Sequence, residues 1–395
     1  MAGDADGRGV LPPAVRQKVP SQPITEKVVA TTRKRFPKHL VDIYDIKSLL
    51  GQGAFSTVWR CVHRATGTTR AVKKIDTSEL SPREIAHEIA LMRLLRNPNV
   101  VRCYDVFLEA QYVNIVIDIF TGGDLIDGLN AHRKSCGRVP DAQLAHLSRQ
   151  MVAAVAHIHS LKIVHRDIKG ENFLCDRPDI GDPECRIALA DFGTAKRIEP
   201  GELLTAHVGT PPFWSPEMWA GRYDFLVDVW AVGVTAYILL SGSLPFDGEV
   251  DIRKPVMAGK LPFTPPQCAS EKCVDFLGRC LIKDPKGRPS AAELQRHPWM
   301  LTPPHRREVK GADKVRESKK GNSSIEQFFT GLGVMVAGCC DGLGLILGAL
   351  AGSGGGAPAG RVDQETAEPL DKDEIEKQVT EMSRNISKHA SKRED

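Results

Sequence analysis

The sequence predicts an α+β protein in which a strand-rich first part leads into a larger, helix-rich second part. Two patterns carry this expectation. Short apolar runs at residues 72–75, 115–119 and 187–190 read as strands. Between Asp141 and His159, by contrast, Leu144, Leu147, Met151, Val155 and Ile158 recur at helical spacing, and Asp141, just after Pro140, is placed to cap that helix. The composition agrees: 42% of the 395 residues are hydrophobic and 26% charged, which supports a sizeable core and excludes a wholly disordered or fibrous chain.

The length predicts two or three folding units. A net charge of +4 is too small for an electrostatic footprint of nucleic-acid binding. The ten cysteines show no CxxC pairing, and no secretory signal is recognisable at the start. A reducing, intracellular and cytoplasmic setting with free thiols and no zinc site is therefore expected.

Residues 1–43 read as a solvated basic tail, with Pro12, Pro13, Pro20, Pro23 and Pro37 around Arg33, Lys34 and Arg35. Ala2 stands where an N-myristoylation signal needs glycine. Residues 44–301 are dense and globular. A charged linker (302–327), an apolar glycine-rich segment (328–351) and a glycine-rich break with a charged amphipathic tail (352–395) follow.

The first chemical signal is Leu50-Gly51-Gln52-Gly53-Ala54-Phe55-Ser56-Thr57-Val58, a glycine-containing turn between strand-like segments. Glycine lets backbone approach a phosphate that a Cβ would hold off. Trp59, Arg60, Cys61 and Val62 continue as strand, which excludes the dinucleotide fingerprint, where a helix must follow at once. Next, Lys73 interrupts an apolar strand. Ser81-Pro82-Arg83-Glu84 then forms a capping box that opens a helix with an apolar arc of Ile85, Ile89, Met92 and Leu95. Glu88 lies inside that arc, where a carboxylate is costly unless paired. Lys73 is its natural partner, and the pair would fix an ammonium for ATP phosphates.

The strongest signal is His165-Arg166-Asp167-Ile168-Lys169-Gly170-Glu171-Asn172, followed after an apolar strand by Asp191-Phe192-Gly193. Asp167 could accept a proton from an attacking hydroxyl, Lys169 could neutralise a moving phosphoryl group, and Asn172 and Asp191 supply oxygens suited to Mg²⁺. With these motifs in this order, the sequence resembles the eukaryotic protein kinases over residues 44–301, and in particular the calcium/calmodulin-dependent group. Gly209-Thr210, Ser215-Pro216-Glu217, the helix opened by Asp228-Val229-Trp230, Arg288 and His297-Pro298-Trp299 are similar to later landmarks of that family.

The resemblance implies a bilobal protein kinase fold: a small β-rich N-lobe with one key helix (about 44–120) and a larger helical C-lobe (about 121–301). It implies that Leu50 to Val58 cover ATP, that Val58 and Ala71 pack on adenine, that Leu174 belongs to the nucleotide-binding set, and that the hinge runs from Asp118 to Phe120 with Ile117 gating the pocket behind. Lys73, held by Glu88, would bind phosphates; Asn172 and Asp191 would hold Mg²⁺; Asp167 and Lys169 would act on the substrate hydroxyl and the phosphoryl group. Lys169 and Thr210 place the chain in the serine/threonine branch, acting on protein substrates. Asp124 and Glu171 stand where related kinases attract basic residues upstream of the phosphosite, although Asp124 could instead cap the following helix. Ser56 replaces the third glycine of the usual loop, and an insertion carrying Asp176 to Pro183 precedes Asp191. Arg166 implies control through the activation segment, whose candidate phosphate acceptors are Thr194, Thr205 and Thr210, with Thr210 read as structural and Thr205 preferred. A pseudokinase scaffold is the alternative, but Lys73, Asp167, Asn172 and Asp191 are all present.

In the C-terminal third, residues 328–350 would make a helix about 34 Å long, enough to span a bilayer. Asp341 near the centre and six glycines argue against a span, so docking onto the domain is preferred over insertion or lipidation at Cys339 and Cys340. Leu370, Ile375, Val379, Met382 and Ile386 form an apolar stripe, read as a surface helix, an autoinhibitory element or a site for a calmodulin-like or other regulator. No EF-hand loop is found, so direct calcium sensing is not expected.

Overall fold

The computed structural model describes residues 39–52, 56–78, 80–246, 253–257, 269–304 and 372–391, all within one compact unit. The first part is a five-stranded antiparallel sheet in the order β1-β2-β3-β5-β4, formed by β1 (Tyr44–Gln52), β2 (Ser56–His63), β3 (Thr69–Asp76), β4 (Cys103–Leu108) and β5 (Tyr112–Ile117). A helical turn, α1 (Leu40–Ile43), already packs on its outer face. Leu40 is buried with Tyr44, Cys61, Val72, Phe107 and Val116, and its amide donates to Glu109 at 3.2 Å.

Between β3 and β4 runs α2 (Pro82–Leu94). Its start is the capping box that the sequence implies: the Ser81 hydroxyl accepts from the Glu84 amide while the Glu84 carboxylate takes the Ser81 amide at 3.1 Å. The reciprocal bonds satisfy two amides that a helix start otherwise leaves unpaired.

The second part is helical: α3 (Leu125–Cys136), α4 (Asp141–Ser160), α5 (Pro216–Trp219), α6 (Leu226–Ser241), α7 (Arg253–Met257), α8 (Glu271–Cys280) and α9 (Ala291–Leu294). Two small two-stranded antiparallel sheets pair β6 (Ile163–Val164) with β9 (Lys196–Arg197), and β7 (Phe173–Cys175) with β8 (Ile187–Leu189). Every residue of α6 from Val227 to Leu240 is buried, so this mostly apolar helix is covered all round and forms the centre of the part, with Asp228 as its buried charge. Trp230 stacks on Phe246 with ring centroids 5.4 Å apart, and Gly242 ends the helix at φ 81°.

Asp141 departs from the expected cap: Pro140 occupies the N-cap position and Asp141 is the first helical residue. Its carboxylate is used by tertiary partners instead, accepting from Ser270 Oγ at 3.0 Å and Trp299 Nε1 at 3.2 Å. A final helix, α10 (Lys372–Ala390), packs against α2, with Ile375, Val379 and Ile386 buried in the main core. The described cysteines are free, and all but Cys136 are buried. Among the described residues, no helix is long and apolar enough to cross a membrane. The apolar segment at 328–351, Cys339, Cys340 and Leu370 lie outside them.

Candidate active site

Ladder register places the first group. Val58 pairs with Lys73 across β2 and β3, and Ala71 pairs with Ile117 and Lys73 with Ile115 across β3 and β5. Paired residues share a face, and residues two apart along a strand do too. Val58, Ala71, Lys73, Ile115 and Ile117 therefore line one side of the sheet. Leu50, Gly51 and Gln52 end β1 and Ser56, Thr57 and Val58 begin β2, with Gly51 opposite Val58. The tip, Gly53, Ala54 and Phe55, lies outside the described residues.

Lys73 Nζ meets Glu88 Oε1 at 2.9 Å, both side chains almost wholly buried. Burial pulls the ammonium toward the neutral amine, but the charges of Glu88 and Asp191 more than offset this and hold its pKa above the usual lysine value. Lys73 thus remains a buried cation facing two carboxylates that α2 and the Asp191 loop deliver.

Asp118 contributes less side chain than its position suggests. Its carboxylate accepts from the Arg102 amide at 3.2 Å and the Tyr104 hydroxyl at 2.8 Å, and its own amide donates to the Arg102 carbonyl at 3.2 Å, so its main-chain carbonyl is what is left for a nucleotide. Phe120 packs on the core beneath the Arg186 guanidinium, 4.9 Å from its ring centre. Leu174, on β7, packs on the core from the helical side.

The loop between β6 and β7 converges on Asp167. Lys169 Nζ lies 3.0 Å from Asp167 Oδ2, and Asn172 Nδ2 donates to the Asp167 carbonyl at 2.7 Å and to Oδ2 at 3.2 Å. Thr210 Oγ1 donates to Asp167 Oδ1 at 2.7 Å and accepts from Lys169 Nζ at 2.8 Å. Both amide hydrogens of Asn172 can be spent on Asp167, which leaves its Oδ1 as a neutral oxygen donor. Asp191 Oδ1 accepts the Gly193 amide at 3.3 Å, which leaves Oδ2. Arg166 and Asp191 adopt positive φ, 70° and 58°, the kind of strain that persists where surrounding contacts over-determine it.

For Arg166 those contacts come from Asp228 at the start of α6. Its carboxylate accepts the His165 amide at 2.8 Å, the Arg166 amide at 2.9 Å and His159 Nε2 at 2.9 Å. Burial raises its pKa, but the His159 hydrogen bond and charge outweigh it and the carboxyl sits below the usual range. His159 has no counterpart in the motif reading. It is one of several polar residues of α4, with His157 in the same last turn, so nothing in the sequence singles it out. Phe192 is fully buried against His165, and Arg166 Nε donates to the Thr194 carbonyl at 2.7 Å. Farther out, Arg288 grips Glu217 through two bonds of 2.6 and 3.0 Å.

Asp124 caps α3, accepting from the Ile126 and Asp127 amides at 2.9 Å each. Burial first, then the Asp127 and Glu171 charges, push its pKa up to about 7. Glu171 is also raised by burial, and its Oε2 is enclosed without a hydrogen-bond partner among the described residues.

The family model described as "Protein kinase domain" matches residues 44–300. The chain belongs to the protein kinase family. It is 34% identical over 299 residues to human serine/threonine-protein kinase H1, covering 74% of this chain and 69% of that one. To serine/threonine-protein kinase SIK2 of Gallus gallus it is 35% identical over 300 residues, 74% of this chain and 35% of the relative. Mouse serine/threonine-protein kinase SIK1 is 35% identical over 271 residues, 67% of this chain and 33% of the relative. The protein is accordingly a serine/threonine protein kinase with the expected bilobal fold, and its family implies ATP and, typically, Mg²⁺.

Proposed function

We propose that this kinase phosphorylates serine or threonine in segments with basic residues upstream, using Asp167 as the proton acceptor. The observation that carries the chemistry is the cluster at Asp167: one carboxylate oriented by Asn172, Lys169 and Thr210, beside a lysine cation. The substrate hydroxyl would give its proton to Asp167, while Lys169 stabilises charge on the transferring phosphoryl group. Lys73, held by Glu88, would orient the ATP phosphates. Two hard oxygens, Asn172 Oδ1 and Asp191 Oδ2, fit the donor set Mg²⁺ prefers, and the ion would neutralise phosphate charge there. Catalysis on this reading is positioning and electrostatics.

The basic preference rests on Glu171, with Asp127 next to it in the electrostatics of the site. An enclosed carboxylate oxygen without a partner is costly, and an arginine from the substrate would supply one. Asp124 is committed to its cap. Of the three threonines in the activation segment, Thr194 donates to the His165 carbonyl at 2.8 Å and Thr210 to Asp167, whereas Thr205 is exposed. Thr205 is therefore the proposed phosphorylation site, which intact-mass analysis after incubation with Mg·ATP checks. A cytoplasmic location rests on the free cysteines and remains part of the proposal, to be tested by fractionation.

The deciding experiment is phosphate transfer by the full-length chain to a peptide library, with Asp167→Asn in parallel. Transfer to serine and threonine, faster with arginine upstream and abolished in the variant, supports the reading. Equal rates without arginine remove the basic preference. Full activity in the variant removes Asp167 from the chemistry, and absence of transfer by the unaltered chain would instead favour the pseudokinase alternative.

A further inference from the structure

The helix that carries Glu88 is covered on both sides. Its inward arc, Ile85, Glu88, Ile89 and Met92, faces the core, as the periodicity implies. Ala86 and Ala90, on the opposite side, are nonetheless 0% and 2% exposed. They share that side with Arg83, three and seven residues before them. Arg83 forms an ion pair with Glu376 of α10. The apolar stripe of α10, with Ile375, Val379 and Ile386 at 5%, 1% and 1% exposure and Met382 packed beside them, closes over this face and reaches β4. Small alanines let two helices approach closely.

α2 is held to the core by the apolar arc of Ile85, Ile89 and Met92, and its polar ties to the site are few. It follows a loop from β3, and its working contacts are single: Glu88 to Lys73, and His87 Nε2 to the Ala195 carbonyl at 3.2 Å, just beyond Asp191-Phe192-Gly193. A shift of α2 would move both. We propose that α10 is a cis-acting positioning helix for catalysis: Ile375, Val379 and Ile386 clamp α2 so that Glu88 stays on Lys73 and His87 on the activation segment. These are positioning residues; none touches a substrate group. The proposal runs opposite to an inhibitory tail, since α10 lies against the back of α2. It also makes activity depend on anything that lifts the tail. It rests on the reading that Glu88 positions Lys73.

The test uses the full-length chain with Val379→Asp, which puts a charge into the helix interface, and Val379→Ile, which keeps it apolar. Val379→Asp is expected to lower kcat and raise KM for ATP, with kcat/KM for ATP falling about 10- to 100-fold. KM for a peptide substrate should hold, as should the Val379→Ile rates. Hydrogen exchange should accelerate in α2 but not in α4 or α6, which separates lost clamping from global unfolding. A synthetic peptide of residues 370–391, added in excess, should restore the rate of Val379→Asp, and the same peptide carrying Val379→Asp should not. Unchanged or increased kcat/KM in Val379→Asp, with α2 exchange accelerated, overturns the proposal; so does a loss of rate that comes with faster exchange throughout and no rescue. Glu88→Gln is measured alongside. If Glu88→Gln is fully active, the Lys73–Glu88 reading has failed; if it is impaired while Val379→Asp is not, only the role of α10 has.

Discussion

Thr210 Oγ1 stands between Lys169 and Asp167, accepting at 2.8 Å from one and donating at 2.7 Å to the other. A residue of the activation segment thereby holds both groups of the catalytic loop that act on the substrate. Thr210→Ala leaves Asp167 Oδ1 without that donor. A lost hydrogen bond to a charged group costs about 1.5–3 kcal/mol, or about 10- to 100-fold in rate. The expected outcome is a kcat loss of that size, with Thr210→Ser largely active because it keeps the hydroxyl. Steady-state kinetics on both variants checks it, and a fully active Thr210→Ala would show that the contact is incidental.

The neighbouring Gly209 has φ +82°, and a Cβ there would sit 2.2 Å from the Arg166 carbonyl oxygen. That atom belongs to a backbone locked by Asp228, so it cannot step aside. Gly209→Ala is therefore expected to disturb the Asp167 loop and remove most activity, more than Thr210→Ala does. Activity above half of wild type in Gly209→Ala, with the fold intact by circular dichroism, would contradict this.

Much of this site was legible because each motif carries its own chemistry in adjacent residues. Asp167, Lys169 and Asn172 lie within one turn of chain, and Glu88 betrays itself as a charge inside an apolar arc. The capping box at Ser81 was legible for the same reason, as a purely local pattern. What escaped depends on contacts far apart in sequence. His159 serves Asp228 across 69 positions, and Asp141 is claimed by Trp299 across 158. The stripe of α10 was visible as periodicity, but its partner was not: the complementary face of α2 is two alanines, which read as ordinary helix formers. Asp124 shows the limit from the other side, since a cap and an acidic recognition site have the same sequence signature and only burial separates them.

Glu88 offers a stability measurement as well as a kinetic one. Removing one member of a buried ion pair leaves the other charge uncompensated, at a cost of about 3–5 kcal/mol. Glu88→Ala should lower the thermal midpoint clearly, while the double variant Lys73→Met/Glu88→Ala recovers part of that loss and stays inactive. Denaturant unfolding of wild type, both single variants and the double variant checks the order. If the double variant is less stable than Glu88→Ala by the full additive amount, the two residues do not interact energetically.

Asp124 contributes to the pH dependence of stability with a definite sign. Its carboxyl is raised from 3.8 in the unfolded chain to about 7 in the fold, mainly by burial. The folded state then binds the extra proton between those values, so this group contributes less stability as pH rises through that window. Asp124→Asn keeps an oxygen to accept from Ile126 and Asp127 but cannot acquire the charge. The variant should match wild type near pH 4 and exceed it by about 1–3 kcal/mol at pH 8. Thermal midpoints of both proteins at intervals from pH 5 to 8 give the comparison. A gap that stays constant with pH would mean the two amide hydrogen bonds hold the carboxylate ionised despite its burial, and the cap would then be charged throughout.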